Sequence, residues 1–254
     1  MNYATEYTDK VLSGEIVACK KIKQAARRYR KDLRASKRKK NPWPYYFDED
    51  FANKAIEFIE LMPARDGSPL KLELFQKWLI SELFGWRDKA TGNRRYDRAY
   101  ISMARKNGKS YLMADLGALY LLMENKPAMN REIVYTANSN AQARLAFGMM
   151  SSGLRQVSKM SKSVRDRLKI NRNEIIDLPS NSRAVPLASD LHSLDGYQSD
   201  LAIIDEFALA RNDEILRTLK SGQINSENSL LAVISTTGPD LNGPMYKAVS
   251  YTHL

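Results

Sequence analysis

A glycine, a lysine and a serine follow one another at Gly108-Lys109-Ser110, between a short apolar stretch and a longer apolar run. This order is typical of a phosphate-binding loop that joins a strand to a helix. Backbone N–H groups of such a loop surround phosphate oxygens, and the start of the helix adds positive potential. Lys109 would then reach the β and γ phosphates of a nucleotide, and Ser110 would ligate Mg²⁺. Met103 replaces the first glycine of the usual pattern, so the motif alone leaves a chance tripeptide as the alternative.

Two adjacent acids end a second apolar segment, where 201–204 runs into Asp205 and Glu206. At the carboxyl end of a buried strand beside a phosphate loop, Asp205 can hold Mg²⁺ through water. Glu206 can then polarise the water that attacks the phosphate. The alternative is a strand that simply leaves the core into a polar loop. Joint occurrence with Gly108-Lys109-Ser110, in the right order, favours the catalytic interpretation.

Two weaker signals complete the set. A third apolar strand runs into the hydroxyl residues Ser235, Thr236 and Thr237. Hydroxyls there can bond to the hydrolytic site and shift when phosphate leaves, although strand-to-turn junctions favour Ser and Thr in any case. Gln76 precedes the first core strand, and its amide could pair with an adenine edge. An ordinary surface glutamine is the alternative.

These residues need a sheet that brings strand ends together. After Asp97 short apolar strands alternate with helices, which predicts a mainly parallel sheet covered on both faces. We expect strands at 99–103, 133–137, 184–188, 201–205 and 230–236, and helices at 109–123, 141–157 and 213–220. Upstream, we expect helices at 8–33, 51–61 and 71–84. The expected fold class is α/β, a P-loop NTPase of the ASCE type with flanking helices and an N-terminal helical extension.

The domain organisation that we expect has a basic helical segment at 1–45, a helical lead-in with Gln76 at 46–96, and a P-loop core at 97–249. The longest apolar run, 111–123, is interrupted by Asp115 and is too short to cross a bilayer, so we expect a soluble, cytosolic protein without membrane contact. One cysteine excludes an internal disulfide, and two histidines are too few for the usual zinc sites, so metal chemistry should use oxygen ligands.

The formal net charge of +11 is local. The segment 20–40 holds twelve Lys and Arg residues against one acid, Asp32, and the rest of the chain is formally neutral. A basic helix of this kind can contact phosphates through charge without reading sequence. The alternative is a solvated helix that contacts nothing specific.

Together these motifs resemble the large terminase subunit of tailed bacteriophages. The resemblance rests on the runs 74–78, 83–86, 92–96, 105–110, 195–196, 204–206 and 235–238, and it extends back to 7–11 and 43–48. It therefore covers nearly the whole chain, and the order of its motifs is more specific than a P-loop alone.

The resemblance implies ATP-driven translocation of double-stranded DNA into a procapsid, with ATP and Mg²⁺ as cofactors. The implied nucleotide-binding residues are Gln76, Arg105, Lys106, Asn107, Gly108, Lys109 and Ser110. Ser110 and Asp205 would hold the metal, and Glu206 would act as the catalytic base with Lys109 and Arg105. Ser235, Thr236 and Thr237 would form the coupling motif.

The implied partners are double-stranded DNA, the portal protein, the small terminase subunit and further copies of the chain in a ring, expected to be a pentamer. The protein would work in the host cytoplasm, docked transiently at the procapsid portal. A neighbouring subunit is expected to donate a second arginine. Some relatives have it just before Gly196, where this chain has Asp195, so Arg144, Arg183 and Arg211 remain candidates.

Members of this family normally carry a nuclease domain after the ATPase. Only residues 238–254 follow Thr237, so we expect that domain, and endonuclease activity, to be absent. Residues 250–254 can be encoded by TCT TAT ACA CAT CTC, which resembles a sequencing adapter, and we expect a non-native tail; chance is the alternative.

Two other functions stay open: another nucleic-acid translocase, which would need a second motor domain, and a non-catalytic P-loop module for DNA binding or assembly.

Overall fold

The chain divides into two compact units. The computed structural model describes residues 1–40, 43–64, 66–188, 194, 196–236, 238 and 242–251. The first unit comprises Met1–Leu61 and Pro69–Tyr96, and the second comprises Met62–Ser68 and the chain from Asp97 onward. The expected tail, 250–254, lies largely outside the described residues.

The first unit is mostly helical. Its elements are α1 (Tyr3–Ser13), α2 (Lys20–Ser36), β1 (Tyr45–Phe47), α3 (Glu49–Glu60), α4 (Leu74–Gly85) and β2 (Trp86–Asp88), with β1 and β2 antiparallel. Side chains fix two helix starts: Asn2 accepts the N–H of Thr5 at 2.9 Å, and Asp48 accepts the N–H of Phe51 at 2.9 Å. Such caps satisfy backbone donors that have no partner within the helix.

The single helix expected at 8–33 is wrong, because the structure has two helices there. Gly14 ends α1 with a φ of 90°, a left-handed conformation that glycine adopts at little cost. Cys19 then precedes α2 with extended backbone. The loosely spaced apolar residues of this stretch concealed the break, since each shorter helix carries its own buried face.

An aromatic cluster forms the core of the first unit. Trp86 is fully buried, and the ring centroids of Trp43 and Phe47 lie 5.5 and 5.2 Å from it, edge to face. The guanidinium of Arg95 lies 4.6 Å from the Trp43 ring and forms an ion pair with Asp32 at 2.7 Å. Cation–π contact and the ion pair together offset the cost of burying this charge.

The second unit contains a seven-stranded sheet. Its elements are β3 (Arg98–Ser102), α5 (Lys109–Met123), β4 (Glu132–Ala137), α6 (Asn140–Met160), α7 (Lys162–Arg167), β5 (Leu168–Ile170), β6 (Ile175–Asp177), β7 (Ser182–Pro186), β8 (Leu201–Asp205), a 3₁₀ turn (Phe207–Leu209), α8 (Glu214–Gly222), β9 (Leu230–Ser235) and α9 (Pro244–Tyr251). The strand order is β3-β9-β8-β4-β7-β6-β5.

Five neighbouring strands of this sheet, β3, β9, β8, β4 and β7, are parallel. Every residue of β8 and β9 is buried, as expected for strands covered on both faces. The strand β9 lies between β3, which precedes the phosphate loop, and β8, which carries the acids. This is the arrangement of an ASCE-type P-loop NTPase, so the expected α/β fold class is confirmed. The antiparallel strands β5 and β6 were not predicted.

Helix α5 packs closely on the sheet at one glycine. A Cβ atom at Gly117 would lie 1.8 Å from the hydroxyl oxygen of Tyr135 on β4, so a larger residue does not fit without movement. The buried hydroxyl of Tyr135 donates to the carbonyl of Ala114, at 3.1 Å. The contact fixes the helix that begins at Lys109 against the strand beside β8. Among the described residues, no helix is long and apolar enough to span a membrane.

Candidate active site

The segment between β3 and α5 forms a tight loop. Lys106 and Gly108 have positive φ angles of 68° and 77°, so the backbone turns sharply before the helix. The side-chain amide of Asn107 donates to the carbonyl of Ala104 at 3.3 Å across the loop. The side chains of Arg105, Lys106 and Asn107 are exposed. Alternating left-handed residues at a helix start orient backbone N–H groups toward one point, which suits an anion.

Lys109, the first residue of α5, contacts Asp205, which ends β8, and Glu206, which follows it. Its Nζ lies 2.8 Å from Oδ1 of Asp205 and donates a second hydrogen bond to Oε1 of Glu206. The side chain of Lys109 is only 12% exposed, so water screens these contacts weakly. Burial lowers the pKa of Lys109, but the hydrogen bonds to the two carboxylates outweigh burial and raise it above the ordinary value. The ammonium is therefore charged at neutral pH.

The two carboxyl groups differ in environment. Burial raises the pKa of Asp205 above its ordinary 3.8, and the attraction of Lys109 offsets this only in part. Burial also acts on Glu206, but hydrogen bonds from Lys109 and Thr236 outweigh it and hold the pKa of Glu206 below its ordinary 4.5. Glu206 is therefore ionised throughout the neutral range, as a group that orients or deprotonates water must be.

The backbone of Glu206 is strained, and two hydrogen bonds hold it in place. Its φ of 53° and ψ of 34° lie in the left-handed region, which costs a non-glycine residue about 1–3 kcal/mol. Its N–H donates to the carbonyl of Ile234 at 3.1 Å, and its carbonyl accepts the side-chain amide of Asn138 at 2.7 Å. These bonds fix where the carboxylate points.

Sequence reasoning missed Asn138. It follows the last residue of β4, Ala137, which pairs with Asp205 in the neighbouring strand. A polar residue at the carboxyl end of a buried parallel strand was the available signal, because such ends meet at one edge of the sheet.

Two hydroxyl residues at the end of β9 bond to the segment after β8. The Oγ1 of Thr236 donates to Oε2 of Glu206 at 3.2 Å. The Oγ of Ser235, fully buried, accepts the N–H of Ala208 at 3.0 Å. The end of β9 is therefore tied both to the Glu206 carboxylate and to the turn that follows it. The third residue of the expected coupling motif, Thr237, lies outside the described residues.

The donor atoms at this edge fit a magnesium nucleotide. Ser110 follows Lys109 in the first turn of α5, and Asp205 ends β8, so the chain offers a hydroxyl and a carboxylate oxygen, which Mg²⁺ prefers. Among the described residues, no three His, Cys, Asp or Glu side chains are grouped to hold a metal ion by themselves. A magnesium ion bound mainly through phosphates and water needs only one or two protein ligands.

Gln76 belongs to the first compact unit. It is buried in the first turn of α4, where its Oε1 accepts the N–H of Glu73 at 2.8 Å as half of a capping box. This helix cap gives Gln76 a structural role that the sequence did not predict. Its contact with adenine stays a prediction.

The three arginines considered as donors to a neighbouring subunit lie in different surroundings. Arg183 forms an ion pair with Glu132 at 2.6 Å, so its own chain already engages its guanidinium. Arg144 donates to the side chain of Asn173 at 3.0 Å, and Arg211 is exposed after the 3₁₀ turn. Asp195 lies outside the described residues.

Comparison with known proteins identifies the family. Residues 74–253 match the family described as terminase large subunit, ATPase domain. The chain belongs to this family. The large terminase subunit of Enterobacteria phage HK97 is 31% identical over 190 residues, which cover 72% of this chain and 36% of that protein. The crystal structure of the HK97 bacteriophage large terminase superposes with a TM-score of 0.66 at 28% identity, over 79% of this chain and 42% of that one.

The chain therefore spans less than half the length of these terminase relatives. The match to the terminase ATPase family begins at Leu74, the first residue of α4, and includes the phosphate loop, both acids and the end of β9. Helices α1, α2 and α3 lie before it.

Proposed function

We propose that this chain hydrolyses ATP and that hydrolysis drives double-stranded DNA into a viral procapsid. The contact of Lys109 with Asp205 and Glu206 at the carboxyl edge of the parallel sheet is the observation that carries the proposal. Phosphate-binding and water-activating groups must lie within a few ångströms of each other for phosphoryl transfer, and here one ammonium joins both acids.

Each residue of the site has a defined task in this proposal. Lys109, Arg105 and the loop N–H groups, from Lys106 to Gly108, surround the phosphates. Ser110 and Asp205 hold Mg²⁺, which supplies charge neutralisation on the phosphate oxygens when it is bound. The remaining task, orienting and deprotonating the attacking water, falls to Glu206, whose lowered pKa keeps it ionised.

The end of β9 would couple hydrolysis to movement. Thr236 bonds to the Glu206 carboxylate, and Ser235 bonds to the turn that follows Glu206. A change of charge at Glu206 therefore alters the contacts between the end of β9 and the segment after β8. We include Thr237 in this motif on the resemblance alone. Rearranged contacts of this kind are a physical route from chemistry to displacement of a neighbouring element.

The proposed partners follow from the terminase family. They are double-stranded DNA, the portal protein, the small terminase subunit and neighbouring copies in a ring, which we propose to be a pentamer. The site of action would be the host cytoplasm, with transient docking at the procapsid portal. If a neighbour donates an arginine, isolated chains hydrolyse ATP slowly and assembled ones faster.

The test is Mg²⁺-dependent ATP hydrolysis by the purified chain, measured against protein concentration and added duplex DNA. We expect turnover per chain to rise with both, and to disappear in Lys109→Ala and Glu206→Gln. A folded chain that binds ATP through Lys109 but gives no turnover at any concentration would instead favour a non-catalytic P-loop module.

The proposed adenine contact of Gln76 has a separate test, because the capping box also depends on this residue. Gln76→Ala should raise KM for ATP more than KM for GTP if the amide reads adenine. Equal changes for both nucleotides would assign Gln76 to the helix cap alone.

A further inference from the structure

Helix α2 has two chemically different faces. Its buried residues, Ala25, Ala26, Tyr29 and Asp32, pack against the first unit. The opposite side carries Arg27, Arg30, Lys31, Arg34 and, just beyond the helix, Arg38, which we call the basic stripe. Spacings of three and four residues place these five side chains on one face of the helix.

Folding stability does not explain the basic stripe. Like charges three and four residues apart destabilise a helix by a few tenths of a kcal/mol per pair. The first turn of α2 has no acid and begins with Lys20 and Lys21, which opposes the helix dipole, and Cys19 makes no side-chain cap. The charges of the basic stripe therefore do not serve the stability of the helix itself.

The cations of α2 differ in the contacts that they make. Arg28 lies 3.8 Å from the buried Glu82, with its guanidinium 5.5 Å from the Tyr96 ring. Of the basic stripe, only Arg30 lies within ion-pair distance of a carboxylate among the described residues, 2.6 Å from exposed Asp9. The other four cations have no carboxylate within that distance in the described part of the chain, and their side chains are exposed.

The shape of this surface suits phosphates. The basic stripe and Leu12 line a concavity of about 400 Å³. From Arg27 to Arg34 the helix rises by about 10 Å, so the long side chains of the stripe can reach more than one phosphate of a duplex. Four of the five residues are arginines, whose planar guanidinium binds phosphate through two parallel hydrogen bonds.

We propose that the basic stripe binds the phosphate backbone of double-stranded DNA without reading its sequence. The choice of DNA as the occupant rests on the proposed packaging function. An acidic protein is the less suitable partner, because protein interfaces bury aromatic and apolar anchors, and Leu12 is the one apolar residue among those that line this concavity. The stripe lies on α2, before the segment that matches the terminase ATPase family.

The test is the salt dependence of duplex binding by the full chain, measured by fluorescence anisotropy without nucleotide. The triple variant Arg27→Ala, Lys31→Ala, Arg34→Ala should lose affinity by roughly tenfold or more at low salt, and the slope of log K against log salt should fall by about 2.7. Its thermal unfolding temperature should stay the same or rise, because like-charge repulsion is relieved. A second triple variant with glutamine at these positions keeps polar side chains on the surface and should behave in the same way.

A matched control removes the same charge elsewhere. Lys159→Ala, Lys162→Ala, Lys169→Ala changes three exposed lysines of the second unit, and its salt slope should stay near that of the unmodified chain. Asp9→Asn removes the anion that holds Arg30 and should tighten duplex binding, a gain that misfolding would not produce.

Unchanged affinity and slope in both triple variants would overturn the proposal. Binding to polyglutamate is measured on the same variants. If the triple variants lose polyglutamate binding but keep duplex binding, the stripe binds an acidic polypeptide and the proposal is wrong. ATP hydrolysis without DNA, measured on the same preparations, separates the two proposals. If the chain hydrolyses ATP but its duplex binding does not depend on the stripe, the proposed DNA-binding role of the stripe is wrong. If duplex binding depends on the stripe but the chain does not hydrolyse ATP, the proposed motor function is wrong and the DNA-binding surface remains.

Discussion

Replacing Thr236 by valine removes one hydrogen bond from the Glu206 carboxylate and leaves the shape of the side chain nearly unchanged. That bond spans 3.2 Å, and the Glu206 side chain is 21% exposed. A hydrogen bond to a charged group contributes about 1.5–3 kcal/mol, and partial exposure places this one at the low end. If the bond aligns Glu206 for the attacking water, a loss of about 1.5 kcal/mol lowers kcat by roughly tenfold, with little change in KM for ATP.

The pH dependence of kcat gives the same substitution a second readout. The hydrogen bond from Thr236 is one of the contacts that hold the pKa of Glu206 below its ordinary value. Without it the pKa rises, so the carboxylate is protonated at a higher pH than before. The acidic limb of the kcat profile should therefore move to higher pH in Thr236→Val, whereas Thr236→Ser, which keeps the hydroxyl, should retain both the rate and the profile.

Thr136→Val is the matched control for this experiment. Thr136 lies in β4, is 1% exposed, and its hydroxyl has no hydrogen-bond partner among the described residues. The same change of side chain there should leave kcat unaltered. If Thr236→Val keeps the kcat and the pH profile of the unmodified chain, Thr236 does not position Glu206 and the reasoning fails.

Four substitutions test stability. In denaturant unfolding, Gly117→Ala should lower the free energy of unfolding by about 1–3 kcal/mol, because its Cβ would collide with the Tyr135 hydroxyl. Gly148 lies in α6 with open space around it, so Gly148→Ala should raise the free energy of unfolding by about 0.5–1 kcal/mol. Thr136→Val should raise the unfolding temperature, since it removes a buried hydroxyl without a partner. Burial raises the pKa of Asp115 from 3.8 to about 8, so the free energy of unfolding should fall as pH rises through this window. Burial also raises the pKa of Glu82, to about 7, so Asp115→Asn should show a smaller fall, and equal pH dependence in both chains would contradict the prediction.

The catalytic end of the fold was accessible from the sequence because strong local patterns and topology agree there. Continuous apolar runs predicted β8 and β9, and Gly108 before an apolar run predicted the start of α5. Parallel strands end at one edge, so Lys109 and Asp205 were expected to approach each other, and they lie 2.8 Å apart. Their catalytic roles stay predictions.

Other features depend on tertiary contacts that leave little trace in sequence. The strands β5 and β6 have three residues each, too few for a period to emerge. The left-handed backbone of Glu206 is imposed by Asn138 and Ile234, which are distant in the chain. The structural role of Gln76 was missed because its partner is a backbone N–H, which any sequence offers.

Single-turnover hydrolysis of ATP by Glu206→Gln, with protein in excess over nucleotide, tests the central claim most directly. Gln keeps the size of the side chain but cannot accept a proton from water. We expect the variant to bind ATP as tightly as the unmodified chain and to cleave it about a hundredfold more slowly or worse, since a general base contributes about 10²–10⁴ in rate. Cleavage at the unmodified rate would remove Glu206 from the chemistry and contradict the account.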